Sequence, residues 1–141
     1  GKGVAVHMAT CCYPLPGERI VGIMTEGQGV NVHSIECGIL ERLSDFPELW
    51  IELMWTSDKE KTLQIGRLKV VLSNKPGSLN NITSSILKSN GNIINLLITK
   101  RSQDFFELEI DVEVENIRHL NNLIFALKIE PVVYSAERRK S

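Results

Sequence analysis

Along the second half of the chain, apolar and polar positions keep a regular rhythm. In the stretch FFELEIDVEV they alternate strictly: Glu107, Glu109, Asp111 and Glu113 face one way, Phe106, Leu108, Ile110, Val112 and Val114 the other. That is the period of a strand with one buried face. Before it, GRLKVVLSN and NIINLLITK read as strands. Between these two, KPGSLNNITSSILKSNG reads as a turn and a helix with Leu79, Ile82, Ile86 and Leu87 on one face and Gly91 as its stop. NIRHLNNLIFALKI gives a second helix carrying Ile117, Leu120, Leu123, Ile124 and Leu127, and EPVVYSAE closes as a strand. The order is β-α-β-β-α-β, which predicts a ferredoxin-like α+β unit with a four-stranded antiparallel sheet and both helices on one face.

The first part is less regular. Strands are expected over 4–9, 18–25, 29–34 and 48–55. Gly27 and Gly29 suggest a tight hairpin between the second and third. Ser34 is expected to cap a helix running through Glu36, Cys37, Ile39, Leu40 and Leu43. Pro14, Pro16 and Gly17 make the segment after the cysteines a loop. The polar stretch TSDKEKTLQIG separates the two patterned regions, so the junction is placed at 58–62, with a small β-rich α+β domain over 1–60 and the ferredoxin-like domain over 61–141.

Composition narrows the function classes. The chain has 141 residues, 43% hydrophobic and 23% charged, which is a globular balance. No apolar run reaches the roughly 20 residues of a membrane span, and no signal peptide is expected. The net charge is −1, which argues against a strong general polyanion binder. Residues 1–65 carry 5 basic against 9 acidic side chains, a net of −4, and residues 66–141 carry 11 against 8, a net of +3. The Arg138–Lys140 run reads as a solvated terminus, and His119 as a surface or interface residue. Three cysteines cannot all pair within one chain, so a disulfide scaffold is not expected and a reducing, cytoplasmic setting fits better.

All three cysteines lie in ATCCYPLPGERIVGIMTEGQGVNVHSIEC, with His33 between them. Cys11, Cys12, His33 and Cys37 are a donor set suited to a tetrahedral zinc ion. Adjacent side chains diverge, so Cys11 and Cys12 reach one ion only through a distorted backbone; His7 is the obvious spare ligand. Buried free thiols and a Cys12–His33 nucleophilic pair remain open beside the metal reading. In the second unit, Pro76 stiffens a turn, Gly77 lets a ligand approach the backbone, and a helix N-terminus follows that suits a carboxylate.

The same stretch resembles the conserved-cysteine, zinc-finger-like or ribosome-intersubunit domain of the long RelA/SpoT homologues, which make or break (p)ppGpp. The matching positions are His7, Cys11, Cys12, Pro14, Pro16, Gly17, Glu18, Ile20, Gly22, Thr25, Gly27, Gly29, Val30, Val32, His33 and Cys37. Where family members usually carry Arg, this chain has Gln28 and Ser34. The second unit resembles an ACT domain. The resemblance implies a non-catalytic C-terminal regulatory region, with the hydrolase and synthetase domains upstream, contact with the ribosome and tRNA, and a homodimer through the ACT domain. It also implies a branched-chain amino acid site, for valine, isoleucine or leucine, at Asn74, Lys75, Pro76, Gly77, Ser78, Leu79, Asn92, Ile93 and Ile94. A docking module without a small ligand is the alternative.

Overall fold

A computed structural model describes residues 4–56 and 62–139. The described residues fall into two compact units, the second spanning Thr62–Arg139. Most of the junction expected at 58–62 lies outside the described residues.

The first unit is built on a mixed sheet of four short strands, β1 (Val6–Met8), β2 (Ile20–Thr25), β3 (Gly29–Ser34) and β4 (Trp50–Glu52), in the order β1-β3-β2-β4. β2 and β3 form an antiparallel hairpin, β4 runs antiparallel to β2, and β1 lies parallel to β3. The hairpin turns where Thr25 pairs with Gly29, and Gly27 and Gly29 have φ of +79° and +82°. Gly29 is also required by space: a Cβ there would lie 2.3 Å from the carbonyl oxygen of Ala5.

Three expectations change in this unit. The helix after β3 is a 3-10 helix over Gly38–Leu43, with Cys37 rather than Ser34 at its N-cap. Ser34 instead ends β3, buried, because its hydroxyl finds a partner in Glu18. The strand expected over 48–55 shortens to Trp50–Glu52, since Pro47–Leu49 forms a 3-10 turn.

The second unit contains β5 (Gln64–Ser73), α1 (Ser78–Lys88), β6 (Asn92–Arg101), β7 (Phe105–Val114), α2 (Ile117–Lys128) and β8 (Val133–Arg138). The sheet order is β6-β7-β5-β8, antiparallel at every pairing, as the βαββαβ pattern predicts. One face buries Leu68, Val70, Leu72, Leu108, Ile110, Val112 and Val114 completely or nearly so. Each such side chain contributes about 1.5–3 kcal/mol. Leu120, Leu123, Ile124 and Leu127 of α2 are buried as expected.

α1 turns a different face inward. Ser78, Ile82, Ser85 and Ile86 are buried, whereas Leu79 and Leu87 are exposed, Leu87 to 72%. The stop is also subtler than one glycine. Asn90 takes the left-handed conformation, φ +61°, while its N–H bonds Leu87 O and that of Gly91 bonds Ile86 O, a Schellman closure. Gly91 is there for packing: a Cβ would meet Leu123 at 2.5 Å.

The acidic face of β7 does not stand free. Arg67 holds the buried Asp111 through two bonds, Nε to Oδ1 at 2.7 Å and an η-nitrogen to Oδ2 at 3.1 Å, and Lys69 and Arg139 pair with Glu107 and Glu109. Arg138 and Arg139 are therefore not a frayed tail: Arg138 ends β8 and the Arg139 N–H donates to Arg67 O. Lys140 lies outside the described residues. His119 is likewise structural. Its Nδ1 accepts the Glu115 N–H at 3.0 Å, which leaves Nε2 to donate to Ser89 O at 2.8 Å and tie the start of α2 to the end of α1.

Candidate metal centre and ligand loop

Cys11 and Cys12 sit on a turn closed by the Tyr13 N–H bonding Ala9 O at 3.0 Å. Tyr13 has φ +45°, a left-handed backbone that only a few non-glycine residues adopt. The turn carries the two adjacent cysteines just before this left-handed residue, and Cys11 Sγ and Cys12 Sγ lie 3.9 Å apart. His33 comes from β3, with Val21 of β2 as its cross-strand partner, and Cys37 from the N-cap of the 3-10 helix.

The result is a cluster in which the four ligand atoms lie within 4.8 Å of one another. Cys11 Sγ is 3.9 Å from Cys12 Sγ, 3.5 Å from Cys37 Sγ and 3.4 Å from His33 Nδ1, and Cys12 Sγ is 4.0 Å from the same nitrogen. Tetrahedral zinc bonds of about 2.3 Å to sulfur and about 2.0 Å to nitrogen would set sulfur–sulfur separations near 3.8 Å and sulfur–nitrogen ones near 3.5 Å. The donor set therefore fits a metal ion in both chemistry and spacing. His7 is exposed and is not one of the four; it lines an open groove of about 500 Å³ with Thr10, Cys11, Gln28, Asn31 and His33.

Burial sets the protonation of the cluster. It raises the Cys11 thiol, with Cys37 adding to the effect, raises Cys12 strongly, and lowers His33. Without a cation the group is two neutral thiols against a neutral imidazole, with Cys37 beside them. A thiol pushed upward is the opposite of an activated nucleophile, which needs a depressed pKa. A bound cation would reverse the cost by stabilising thiolate directly.

The second candidate site lies at the end of β5. Asn74, Lys75, Pro76, Gly77 and Leu79 line an open hollow of about 710 Å³, joined by Asn80, Thr83 and Phe106. Gly77 is the N-cap of α1 with φ +82°, and no side chain caps the helix there. Asn74 is braced: its Nδ2 donates to Ser102 O and its N–H to Asp104 O. Ser78 is buried, with its hydroxyl 3.3 Å from that of Ser73, so it points into the fold rather than into the hollow.

Asn92, Ile93 and Ile94 do not meet this loop within one chain. Asn92 pairs with Glu113 and Gln64 with Val114, so β6 begins at the same end of the sheet as β5. The loop follows the far end, where Ser73 pairs with Phe105. The topology shows it: β5 and β6 both run antiparallel to β7, so they run in the same direction. Asn80, Thr83 and Phe106 line the hollow beyond the residues that the loop motif points to. Asn80 and Thr83 follow Gly77 on the exposed first turns of α1, and Phe106 pairs with Leu72 just before the loop.

Fold and sites define a two-unit α+β chain: a cysteine–histidine cluster that could hold a metal ion on a small mixed sheet, and a βαββαβ unit with an open loop. Residues 1–56 match the family model of the RelA/SpoT RIS domain, and residues 61–138 that of the ACT domain. The chain belongs to the ACT-domain family, and its pair of domains is that of a RelA/SpoT-type regulatory region. It is 38% identical over 125 residues to the GTP pyrophosphokinase rsh of Brucella ovis, covering 88% of this chain and 17% of that protein. It is 29% identical over 136 residues to the GTP pyrophosphokinase of Escherichia coli K12, covering 94% and 18%. The chain thus spans under a fifth of the length of these curated relatives. Among solved structures, the crystal structure of the ACT domain from the GTP pyrophosphokinase of Chlorobium tepidum matches with a TM-score of 0.48 and 26% identity, over 55% of this chain and 99% of that one. No helix among the described residues is long and apolar enough to cross a membrane.

Proposed function

We propose that this chain is the regulatory region of a longer cytoplasmic (p)ppGpp synthetase or hydrolase, coupling ribosome and tRNA contact to amino-acid sensing. In the first unit, Cys11, Cys12, His33 and Cys37 hold zinc and brace the surface that meets the ribosome. In the second, the loop 74–79 captures a branched-chain amino acid. The ligand carboxylate sits on the uncapped N-terminus of α1, where backbone N–H groups and the helix dipole favour an anion. With Nδ2 committed to Ser102, Asn74 offers its carbonyl oxygen to the ligand ammonium. Leu79 and Phe106 supply apolar wall.

Asn92, Ile93 and Ile94 join the site from a second copy. β6 is an edge strand with Ile94, Leu97 and Ile98 exposed. Antiparallel pairing of two β6 edges brings the start of one strand to the loop end of the other. The observation that carries the reading is the glycine-capped, unoccupied-by-side-chain helix start beside a braced asparagine and an apolar wall. Ligand binding controls distant catalytic domains only as far as its affinity differs between their states.

The test is calorimetric titration with valine, isoleucine and leucine, beside a Gly77→Asp variant that sets a carboxylate at the helix start. Saturable heat that the variant abolishes is expected. Absence of binding at millimolar ligand would overturn the sensor and leave the unit as a docking or dimerising element.

A further inference from the structure

Glu18 lies outside the four candidate ligands, yet it ties their supports together. Its carboxylate accepts the hydroxyl of Ser34 at 2.7 Å through Oε1 and the N–H of Leu15 through Oε2. Its backbone closes a turn on Leu15 O at 3.2 Å and accepts the indole N–H of Trp55 at 3.1 Å. Ser34 follows His33 in β3, is buried to 1% exposure, and donates its own N–H to Cys12 Sγ at 3.4 Å. Ser34 Oγ also accepts the N–H of Glu36, next to Cys37. One carboxylate thereby fixes the loop that leaves Cys12, the residue after His33, and the turn that delivers Cys37.

We propose that Glu18 is a positioning residue for the cysteine–histidine centre, acting through Ser34 to hold the N–H that bonds the Cys12 sulfur. This rests on the reading of the cluster as a metal centre. The geometry gives the role a direction. A sulfur that accepts a backbone N–H keeps its orientation only while that backbone is held. Ser34 is held at its side chain by Glu18 and at its strand by β2, through Ile20. Outer-shell partners of this kind typically change metal affinity by about 10- to 100-fold when removed. Gln is a demanding replacement. It keeps the size of Glu18, but its amide nitrogen cannot accept a hydrogen bond, so either the Leu15 N–H or the Ser34 hydroxyl loses its acceptor.

The experiment uses cobalt(II) as the probe on the whole chain, read by its thiolate-to-metal charge-transfer and visible ligand-field bands, with affinity from chelator competition. The wild type is expected to give a tetrahedral spectrum. Glu18→Gln and Ser34→Ala are expected to lose about 10-fold or more in affinity and to shift the ligand-field bands. The double variant should lose little more than the worse single one, because both act on one chain of bonds. If the variants melt earlier yet keep the wild-type spectrum and affinity, Glu18 is a fold residue only and the proposal fails. A wild type with no cobalt spectrum would overturn the metal reading itself, and the proposal with it.

Discussion

Residues 62–139 and residues 4–56 each hold a four-stranded sheet together, but with different material. In the second unit the central strands β5 and β7 pair over ten residues and bury long aliphatic side chains against two helices. Among the described residues of the first unit no strand exceeds six residues, and a core cluster of Ala9, Cys12, Val21, Ile23, Cys37 and Leu40 draws two of its six members from the candidate metal ligands. A unit this small buries too little apolar surface to be secure, and such units are commonly stapled by metal or disulfide. The difference teaches that in the first unit the packing residues and the candidate ligands are partly the same cysteines, whereas in the second the packing and the candidate loop are separate.

The comparison breaks most sharply at Cys37. Replacing it with Ser, or stripping metal with a chelator, should destabilise the first unit by on the order of 5 kcal/mol or more, since structural zinc supplies about 10 kcal/mol or above in small domains. Hydrogen exchange by mass spectrometry should show β2 and β3 losing protection while β5 and β7 keep theirs. Equal protection in the variant would mean that the thiols are apolar filler and that both units are stabilised in the same way.

Next in size is a contrast within the second unit. Ile82→Ala should cost about 2–5 kcal/mol, because Ile82 is fully buried and leaves a cavity. Leu87→Ala should change stability by less than about 0.5 kcal/mol, because Leu87 is mostly exposed. Urea denaturation reads both. A large loss at Leu87 would restore the helix face that hydrophobic pattern alone suggests.

That helix marks where sequence reading stopped working. Apolar periodicity found β5, β7 and α2, because each has one face dominated by Leu, Ile, Val or Phe. It read α1 only in part: Ile82 and Ile86 are buried as expected, but Ser78 and Ser85 are buried with them while Leu79 and Leu87 face out. In the first unit the hairpin was legible from Gly27 and Gly29. That Ser34 does not cap the following helix was not, because its hydroxyl bonds Glu18, sixteen positions away. The four cysteine and histidine positions were legible from residue type. Their convergence was not, because it depends on long-range pairing that brings the turn at 9–13 beside β3 and the start of the 3-10 helix.

The smallest effect sharpens the comparison through one glycine from each unit. Gly29 and Gly77 share a φ of +82°, so alanine at either pays for a left-handed backbone, about 1–2 kcal/mol. Their surroundings differ. At Gly29 a Cβ strikes the Ala5 carbonyl, so alanine must also push β1 from β3, and the total should exceed 2 kcal/mol, roughly, once strain is added. At Gly77 nothing lies within 4 Å of the new carbon, so the backbone term stands alone. Gly77→Ala should therefore lower the melting temperature of the second unit by about 4–8 °C per kcal/mol lost, and leave its sheet intact. Scanning calorimetry of the two variants makes the comparison. If Gly77→Ala proves as costly as Gly29→Ala, the space before α1 is already filled, and a ligand carboxylate has no room there.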